Sequence, residues 1–311
     1  MTRHFLRDDD LSPAEQAEVL ALAKKLKADR HAARPFEGPR AVGIVFDKPT
    51  LRTQASFTAG VAELGGYPML VDGTLAKIGA RESIADTARV LGRMVSAIVW
   101  RTFGQERLEE MATHAGVPVV NALTDEFHPC QLLADLQTIE EHKGTPAGLT
   151  VAFLGDAASN MSHSFLLACA TAGMHVRVSG PEGFTPDPAV LARAQEIAGT
   201  TGGSASYVLD PVEAVAGADV VVTDTWVSMG KEEEAAARLA AFGDYTVTAD
   251  LLALASPSAI VMHCLPAYRG KEIDADVLDG PQSVVWDEAE NRRHAQKAIL
   301  TWLLQQSGEQ P

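Results

Sequence analysis

Short apolar runs alternate along the chain with longer segments in which apolar residues recur every three or four positions. Short runs rich in β-branched residues predict strands, and the longer periodic segments predict helices. Strands that alternate with helices are typical of α/β folds built on parallel sheets. The predicted strands form two series, which are Ala41–Phe46, Tyr67–Val71, Ala97–Arg101 and Val117–Ala122, and then Thr150–Leu154, His175–Ser179, Asp219–Thr223 and Ala259–Cys264.

The length of the chain predicts two domains, because 311 residues exceed what one hydrophobic core usually supports. Each domain is expected to be a parallel sheet flanked by helices, in a Rossmann-like arrangement. The first would comprise residues 1–143, completed by a C-terminal helix at 288–311, and the second would comprise residues 150–287. The helical stretch Pro129–His142 is expected to bridge the two domains, and Glu288–Gln305 is expected to be a closing helix.

Composition and charge argue against several classes of protein. Hydrophobic residues make up 46% and charged residues 22% of the chain, and no apolar stretch reaches the roughly 18 residues that a membrane helix needs. The first residues lack the apolar segment of a signal peptide, so a cytoplasmic protein without a membrane partner is expected. With 26 basic and 41 acidic residues, the net charge of −15 argues against a nucleic-acid partner.

No metal or other cofactor is predicted. The three cysteines, Cys130, Cys169 and Cys264, have none of the close spacings that zinc sites and redox dithiols use, so free thiols are expected. An anionic ligand of so acidic a chain has to be held locally, by a few arginines and backbone amides.

Polar residues follow the predicted strands, at the edge where open parallel sheets bind their ligands. The segment Thr50–Thr53 lies between a strand and a helix, where backbone amides and the side chains of Arg52 and Thr53 could hold an anion. An equally simple interpretation is a helix capped by Thr50, with Arg52 in solvent. Arg101 and His128 end or follow the next strands, and together with this segment they favour phosphate or carbonyl binding.

Two segments of the second half each allow a functional and a purely structural interpretation. Asp224 follows an apolar strand, where its carboxylate could accept hydrogen bonds from a substrate ammonium group or simply cap a turn. The segment His263–Pro266 could close a strand, or it could place the thiol of Cys264 beside a reacting amine.

These segments, taken in order, resemble the aspartate/ornithine carbamoyltransferase family over nearly the whole chain. The segments that carry the resemblance are Pro49–Thr53, Trp100–Thr102, Phe127–Gln131, Asp224–Gly230, His263–Ala267 and Trp286–Arg292. The resemblance implies transfer of the carbamoyl group of carbamoyl phosphate to the δ-amine of L-ornithine, giving L-citrulline and phosphate, as in arginine biosynthesis. The loop Ser228-Met229-Gly230 resembles the signature that selects ornithine within the family.

The resemblance also implies a role for each matching residue. Arg101 and His128 would stabilise the negative oxygen of the tetrahedral intermediate, while Asp224 and Cys264 orient the amine. The carbamoyl phosphate site would comprise Thr50, Leu51, Arg52, Thr53, Lys77, Arg101, His128, Gln131 and Arg292. The ornithine site would comprise Asn160, Asp224, Ser228, Met229, Cys264 and Leu265.

Three residues depart from the commonest family pattern. Thr50 replaces a serine, Gln54 replaces a second arginine, and Lys77 replaces a glutamine that reaches the site of a neighbouring subunit. Lys77 could contact phosphate or could be a solvated lysine on a loop. The resemblance further implies a homotrimer or an assembly of trimers.

Three other functions compete with this prediction. A nicotinamide-dependent dehydrogenase would need the Gly-x-Gly-x-x-Gly pattern, which the turn at Gly155 lacks, and an acid after the strand that ends at Ser179. A carbamoyltransferase for aspartate, N-acetylornithine or lysine differs only in a few acceptor-binding residues. A non-catalytic relative need not keep both Arg101 and Asp224, which this chain has.

Overall fold

The computed structural model describes residues 2–38, 40–227 and 232–307. The chain forms two compact units. The first unit comprises the described residues up to Gln137 together with those from Glu290 onward, and the second unit comprises Thr138–Ala289. Within the described residues, every helix is too short or too polar to cross a membrane.

Each unit contains one sheet with helices between successive strands. The first half of the chain contains α1 (Pro13–Ala28), β1 (Ala41–Phe46), α2 (Arg52–Glu63), β2 (Tyr67–Asp72), α3 (Gly73–Ala76), α4 (Ile84–Leu91), β3 (Ala97–Arg101), α5 (Gln105–Ala115), β4 (Val119–Leu123) and α6 (Pro129–Lys143). The second half contains β5 (Thr150–Leu154), α7 (Asn160–Thr171), β6 (His175–Ser179), α8 (Pro188–Thr201), β7 (Ser204–Tyr207), α9 (Pro211–Val215), β8 (Val220–Thr223), α10 (Ala235–Phe242), α11 (Ala249–Leu252), β9 (Ile260–Met262), α12 (Ala275–Leu278) and α13 (Val285–Gln306). Short 3-10 helices lie at Asp8–Asp10, Glu232–Glu234 and Gly243–Tyr245.

The predicted fold class is confirmed, with two parallel sheets and with α6 and α13 each running from one unit into the other. One strand was missed. The segment Ser204–Tyr207 has no β-branched residue and only Tyr207 as a strand former, so its strand signal is weak, and it becomes β7 by pairing with β6. The strand predicted at Ala259–Cys264 is shorter, because the backbone N–H of His263 donates to the carboxylate of Glu288 instead of to a neighbouring strand.

The first sheet has the strand order β2-β1-β3-β4, with all neighbours parallel. Its central strand β3 is buried from end to end, and Ile98, Val99 and Trp100 are fully shielded from solvent. Burial of each such side chain contributes roughly 1.5–3 kcal/mol, so this strand is a rigid support. Because β1, β3 and β4 are adjacent and parallel, the residues that follow them share one edge.

The second sheet has the order β7-β6-β5-β8-β9, also with parallel neighbours. Its strands β5, β8 and β9 are adjacent. The residues that follow these three strands therefore share one edge of this sheet, and they include Asn160, Asp224 and Cys264.

In the first unit, α13 is fixed to α1 and α2 by Lys297, whose side chain is fully buried. Its Nζ donates to a carboxylate oxygen of Glu63 at 2.7 Å and to the backbone carbonyls of Leu26 and Arg30 at 3.2 and 3.1 Å. The buried ammonium group is thus paired with one carboxylate and two backbone carbonyls. A buried cation needs such partners, because burial removes it from water. They also set the position of Arg292, five residues earlier on the same helix.

The same helix gives the protein an expected sensitivity to mild acid. Burial, with the charges of Lys297 and Arg293, lowers the pKa of His294 to about 4. The unfolded chain, with a histidine pKa of about 6.5, binds a proton that the folded chain rejects, so stability falls as the pH drops below about 6.5 and this loss is complete near pH 4. Between pH 7 and pH 5.5 the loss from this group should be about 1 kcal/mol.

Thermal unfolding midpoints of the unmodified protein and of His294→Gln, each measured at pH 7 and pH 5.5, check this expectation. The midpoint of the unmodified protein should fall further than that of the variant. An equal fall in both would show that other groups set the acid sensitivity.

Candidate active site

Four elements of the first unit bring basic and polar side chains together at the edge of its sheet. Arg101 is the last residue of β3 and is buried, and its Nη1 lies 3.5 Å from the hydroxyl of Thr53. Arg52 and Thr53 begin α2. The helix has Leu51 at its N-cap and receives no side-chain cap, so the alternative in which Thr50 caps it is wrong. Uncapped amides at a helix N-terminus attract anions.

Arg292, from α13, completes this group of side chains. Its Nη2 donates to the hydroxyl of Thr53 at 2.9 Å, and its Nη1 donates to the side-chain oxygen of Gln131. Gln131, in the first turn of α6, donates in turn to a carboxylate oxygen of the buried Asp135 at 2.7 Å. Residues from α2, β3, α6 and α13 are thus linked in one buried network.

His128 lies beside these arginines and is itself buried. Burial, followed by the positive charges of Arg292, Arg101 and Arg52, holds the pKa of His128 well below its usual value. The imidazole is therefore uncharged at neutral pH and can donate one N–H to a neutral oxygen acceptor. The three arginines give this cluster the positive charge that an anion such as phosphate requires.

Other residues predicted to bind carbamoyl phosphate are more exposed. The side chain of Leu51 is exposed, and Thr50 is half-buried. Lys77 is exposed at the end of α3, where it adopts a left-handed backbone conformation with φ 51° and its N–H bonds the carbonyl of Gly73. Lys77 is therefore not part of the buried network. Gln54 is also exposed, which argues against a packing role.

In the second unit, Asp224 and Cys264 follow the adjacent strands β8 and β9 and contact each other. The thiol of Cys264 donates to Oδ1 of Asp224 at 3.2 Å, and the backbone N–H of Thr225 donates to the same oxygen at 2.7 Å. Burial raises the pKa of Asp224, against the lowering effect of His263 and of these two hydrogen bonds. Both of these bonds use Oδ1, and no bond to the second carboxylate oxygen is found among the described residues.

The hydrogen bonds of His263 hold the backbone on both sides of Cys264. Its Nδ1 accepts the N–H of Leu265 at 2.9 Å, which assigns the proton to Nε2, and Nε2 lies 3.3 Å from a carboxylate oxygen of the buried Glu272. Its own backbone N–H donates to Glu288 at 2.9 Å. Leu265 is held at φ 58° by this arrangement.

The ligand atoms of Asp224, His263 and Cys264 all lie within 4.8 Å of one another and could hold a metal ion. Both ring nitrogens of His263 already face partners, so a metal would compete with an existing network. The absence of a metal site stays a prediction.

Asn160 is the first residue of α7, whose N-cap Ser159 accepts the N–H of Ser162. This helix follows β5, the neighbour of β8, so Asn160 and Asp224 follow adjacent strands. A cavity of about 200 Å³ is lined by residues that follow Asp224 and Cys264, among them Thr225 and Tyr268. Ser228 and Met229, also predicted to bind ornithine, lie outside the described residues.

Comparison with known proteins assigns both parts of the chain to one family. Residues 3–141 match the family model described as the carbamoyl-P binding domain of aspartate/ornithine carbamoyltransferase, and residues 147–303 match its Asp/Orn binding domain. The chain belongs to the aspartate/ornithine carbamoyltransferase family. The resemblance of the ordered segments is thereby confirmed, and a dehydrogenase is excluded.

Several relatives in this carbamoyltransferase family match over almost their full length. The chain is 63% identical over 309 residues to the ornithine carbamoyltransferase of Leifsonia xyli subsp. xyli, which covers 99% of both chains. Among solved structures, the ornithine carbamoyltransferase from Gloeobacter violaceus is 48% identical, with a TM-score of 0.88 over 97% of this chain and 98% of that one. The enzyme from Pyrococcus furiosus is 43% identical, with a TM-score of 0.93 over 96% of each chain.

Sequence reasoning missed two acids that bond His263. Glu272 and Glu288 bond His263 from 9 and 25 residues away, and both are buried. Acids are rarely buried without a partner, but the sequence alone does not show that these two are buried.

Proposed function

We propose that this carbamoyltransferase moves the carbamoyl group of carbamoyl phosphate to the δ-amine of L-ornithine, giving L-citrulline and phosphate. The observation that carries the proposal is the cluster in which the charges of Arg292, Arg101 and Arg52 act on a buried, uncharged His128. Such a cluster suits a small phosphorylated electrophile. The names of the relatives support ornithine as the acceptor.

The first unit would bind and activate the electrophile. The arginines and the N-terminal amides of α2 bind the phosphate group, while Arg101 and His128 donate hydrogen bonds to the carbonyl oxygen. When the amine attacks the carbonyl carbon, that oxygen becomes negative, and donors already in place stabilise it without reorganisation. Collapse of the intermediate breaks the bond between carbon and the phosphate oxygen.

The second unit would supply the nucleophile. An alkyl ammonium group has a pKa near 10.4, so only about one molecule in a thousand carries the neutral amine at pH 7. The second oxygen of Asp224 and the sulfur of Cys264 orient this neutral form by accepting its N–H groups, which leaves the nitrogen lone pair for attack. The proton that the nitrogen must lose passes to the departing phosphate, so that citrulline and hydrogen phosphate leave with all atoms balanced.

The choice of acceptor needs more than the family description, which covers aspartate as well as ornithine. Aspartate has a carboxylate in its side chain, whereas ornithine has an amine. The negative charge of that carboxylate would be repelled by Asp224, which disfavours aspartate as the acceptor. N-acetylornithine and lysine stay as alternative acceptors, and an assay with each acceptor distinguishes them from ornithine. The cytoplasmic location and the place in arginine biosynthesis are part of this proposal and are supported by the resemblance.

The test is citrulline formation by the purified protein from carbamoyl phosphate and each candidate acceptor. Equal amounts of citrulline and phosphate from L-ornithine, with slower reaction of aspartate, N-acetylornithine and lysine, would support the proposal. A correctly folded protein that forms no citrulline would overturn it, and preference for another acceptor would replace ornithine.

We also propose a homotrimer or an assembly of trimers. Support comes from large apolar side chains exposed on the first unit, where Leu75 is 78% and Tyr67 is 60% exposed. Tyr67 begins β2, an edge strand of its sheet. Exposed apolar side chains at an edge are typical of an interface with another chain. An exposed Lys77 is also free to reach a neighbouring subunit's site.

Light scattering should give a particle of three times the chain mass or a multiple of it. Leu75→Glu should lower this mass, because it places a charge in the expected interface. Leu254→Glu, a matched change at an exposed leucine of the second unit, should leave it unchanged. A monomeric unmodified protein would exclude the trimer.

A further inference from the structure

Arg238, in α10 of the second unit, has no assigned role, yet its side chain is only 5% exposed and makes several polar contacts. Its Nη1 lies 2.7 Å from a carboxylate oxygen of Asp156 and 3.1 Å from the backbone carbonyl of Trp226. Its Nε donates to Glu234 at 2.8 Å, and its guanidinium lies over the ring of Phe184 at 5.1 Å. One buried cation thus contacts the N-cap of its own helix and three other segments.

Two of these segments carry predicted acceptor-binding side chains. Asp156 follows β5 and lies four residues before Asn160, and Trp226 follows β8 and lies two residues after Asp224. Arg238 therefore bridges the two loops from which the acceptor is expected to be held.

Further contacts hold the loops at Asp156 and Trp226 in place around Arg238. The second oxygen of Asp156 accepts the N–H of Ala158 at 3.0 Å, which shapes the turn before Asn160. The ring of Trp226 stacks on Phe242 of α10, with centroids 5.7 Å apart.

The turn after β5 also touches Trp226 directly. Gly155 adopts φ +123°, and a Cβ there would lie 3.2 Å from the indole nitrogen of Trp226. The glycine is therefore required both for the backbone conformation and for the close approach of the indole. The two loops form one packed assembly, with Arg238 at its centre.

A buried ion pair is a weak source of stability, because the cost of removing both charges from water offsets much of their attraction. An ion pair that also binds a backbone carbonyl in a neighbouring loop is better suited to fixing the position of one loop relative to the other. We infer that Arg238 and Asp156 are positioning residues, which hold Asp224 and Asn160 at the separation that L-ornithine requires. The inference rests on the proposed function and deepens it.

The effect should be specific to one substrate. Arg238, Asp156 and the segments they bridge all belong to the second unit, whereas the predicted carbamoyl phosphate residues all belong to the first. Disturbing the bridge should therefore raise KM for ornithine and leave the affinity for carbamoyl phosphate unchanged. A purely structural role would instead lower the thermal midpoint without this split.

The experiment compares Arg238→Lys, which keeps the charge but loses the forked geometry, with the double variant Asp156→Leu/Arg238→Met, which removes both charges together. Replacing both partners with apolar residues often preserves stability, so the double variant separates positioning from folding. The measurements are steady-state kinetics for each substrate, the thermal midpoint, and carbamoyl phosphate binding by calorimetry without ornithine.

The double variant should lower kcat/KM for ornithine by about tenfold to a hundredfold, the effect expected when a substrate is misplaced by about 1 Å. Arg238→Lys should show a smaller loss in the same direction. Arg193→Met is the matched control, because Arg193 forms an exposed ion pair with Glu196 in the same unit, and it should change neither substrate's KM.

Each outcome decides the inference. An ornithine KM within twofold of the unmodified value in Arg238→Lys and in a folded double variant would overturn it. Equal changes in both substrates' KM would also overturn it. If the double variant does not fold, Arg238→Lys alone decides. Unmodified protein that forms no citrulline would contradict the proposed function, whereas active protein with unaffected variants contradicts only this inference.

Discussion

Replacing Arg101 with methionine is expected to lower kcat for citrulline formation by about 10²–10³-fold, the usual cost of losing one donor to a developing oxyanion. Methionine keeps much of the length of the side chain but none of its N–H groups. Arg101 is buried at the end of a rigid strand, so no water can readily replace these donors. The kcat of Arg101→Lys should lie between those of Arg101→Met and the unmodified protein, because lysine keeps the positive charge but lacks the planar, forked guanidinium group.

The network around Arg101 should survive the change. Thr53 keeps its 2.9 Å bond from Arg292, so the folded state retains a partner for that hydroxyl. Removing the charge of Arg101 should also raise the pKa of His128, which that charge lowers. The pKa is measurable by NMR titration and gives a readout independent of activity.

Arg89→Met is the control for Arg101→Met, because Arg89 forms an exposed ion pair with Asp86 in the same unit. Its kcat should equal that of the unmodified protein. If Arg101→Met retained more than about a tenth of kcat, Arg101 would not stabilise the oxyanion to the extent expected of such a donor.

Replacing Asp224 with asparagine is expected to lower kcat/KM for ornithine by about a hundredfold, while carbamoyl phosphate binding stays unchanged. The amide oxygen of asparagine can still accept from Thr225 and Cys264, so the local fold is kept. The amide NH₂ then stands where the second carboxylate oxygen should accept from the amine. A donor facing a donor cannot orient the nucleophile.

Cys264→Ala provides a graded comparison with Asp224→Asn. It removes one hydrogen bond to Asp224 but leaves both carboxylate oxygens, so its loss in kcat/KM should be smaller. Steady-state kinetics at saturating carbamoyl phosphate measure both effects. If Asp224→Asn changed KM for carbamoyl phosphate but not that for ornithine, the assignment of Asp224 to the acceptor would be wrong.

The strands and the residues that follow them are predictable from the sequence, because parallel sheets place successive strand ends at one edge. That rule is enough to select Arg52, Arg101 and His128 as candidates for one site. The family resemblance adds Arg292, since nothing in the spacing of a residue so far along the chain connects it to Thr53.

The supporting contacts are not predictable from the sequence. Glu272, Asp156 and Arg238 look like ordinary surface charges when read one at a time, and their burial emerges only from packing. The left-handed conformation of Lys77 at the end of α3 and the absence of a side-chain cap on α2 are likewise seen only in the structure. Local patterns predict elements and strand ends, but they do not reveal which charges become paired in the interior.

The position of Arg292 on the last helix has a consequence for how the protein is made. A nascent chain that has left the ribosome only as far as Ala289 already contains every strand of both sheets. It still lacks Arg292 and the buried Lys297 that fixes the helix. Premature termination at any codon before 292 would therefore yield a polypeptide with an unfinished phosphate pocket, however much of the remainder had folded.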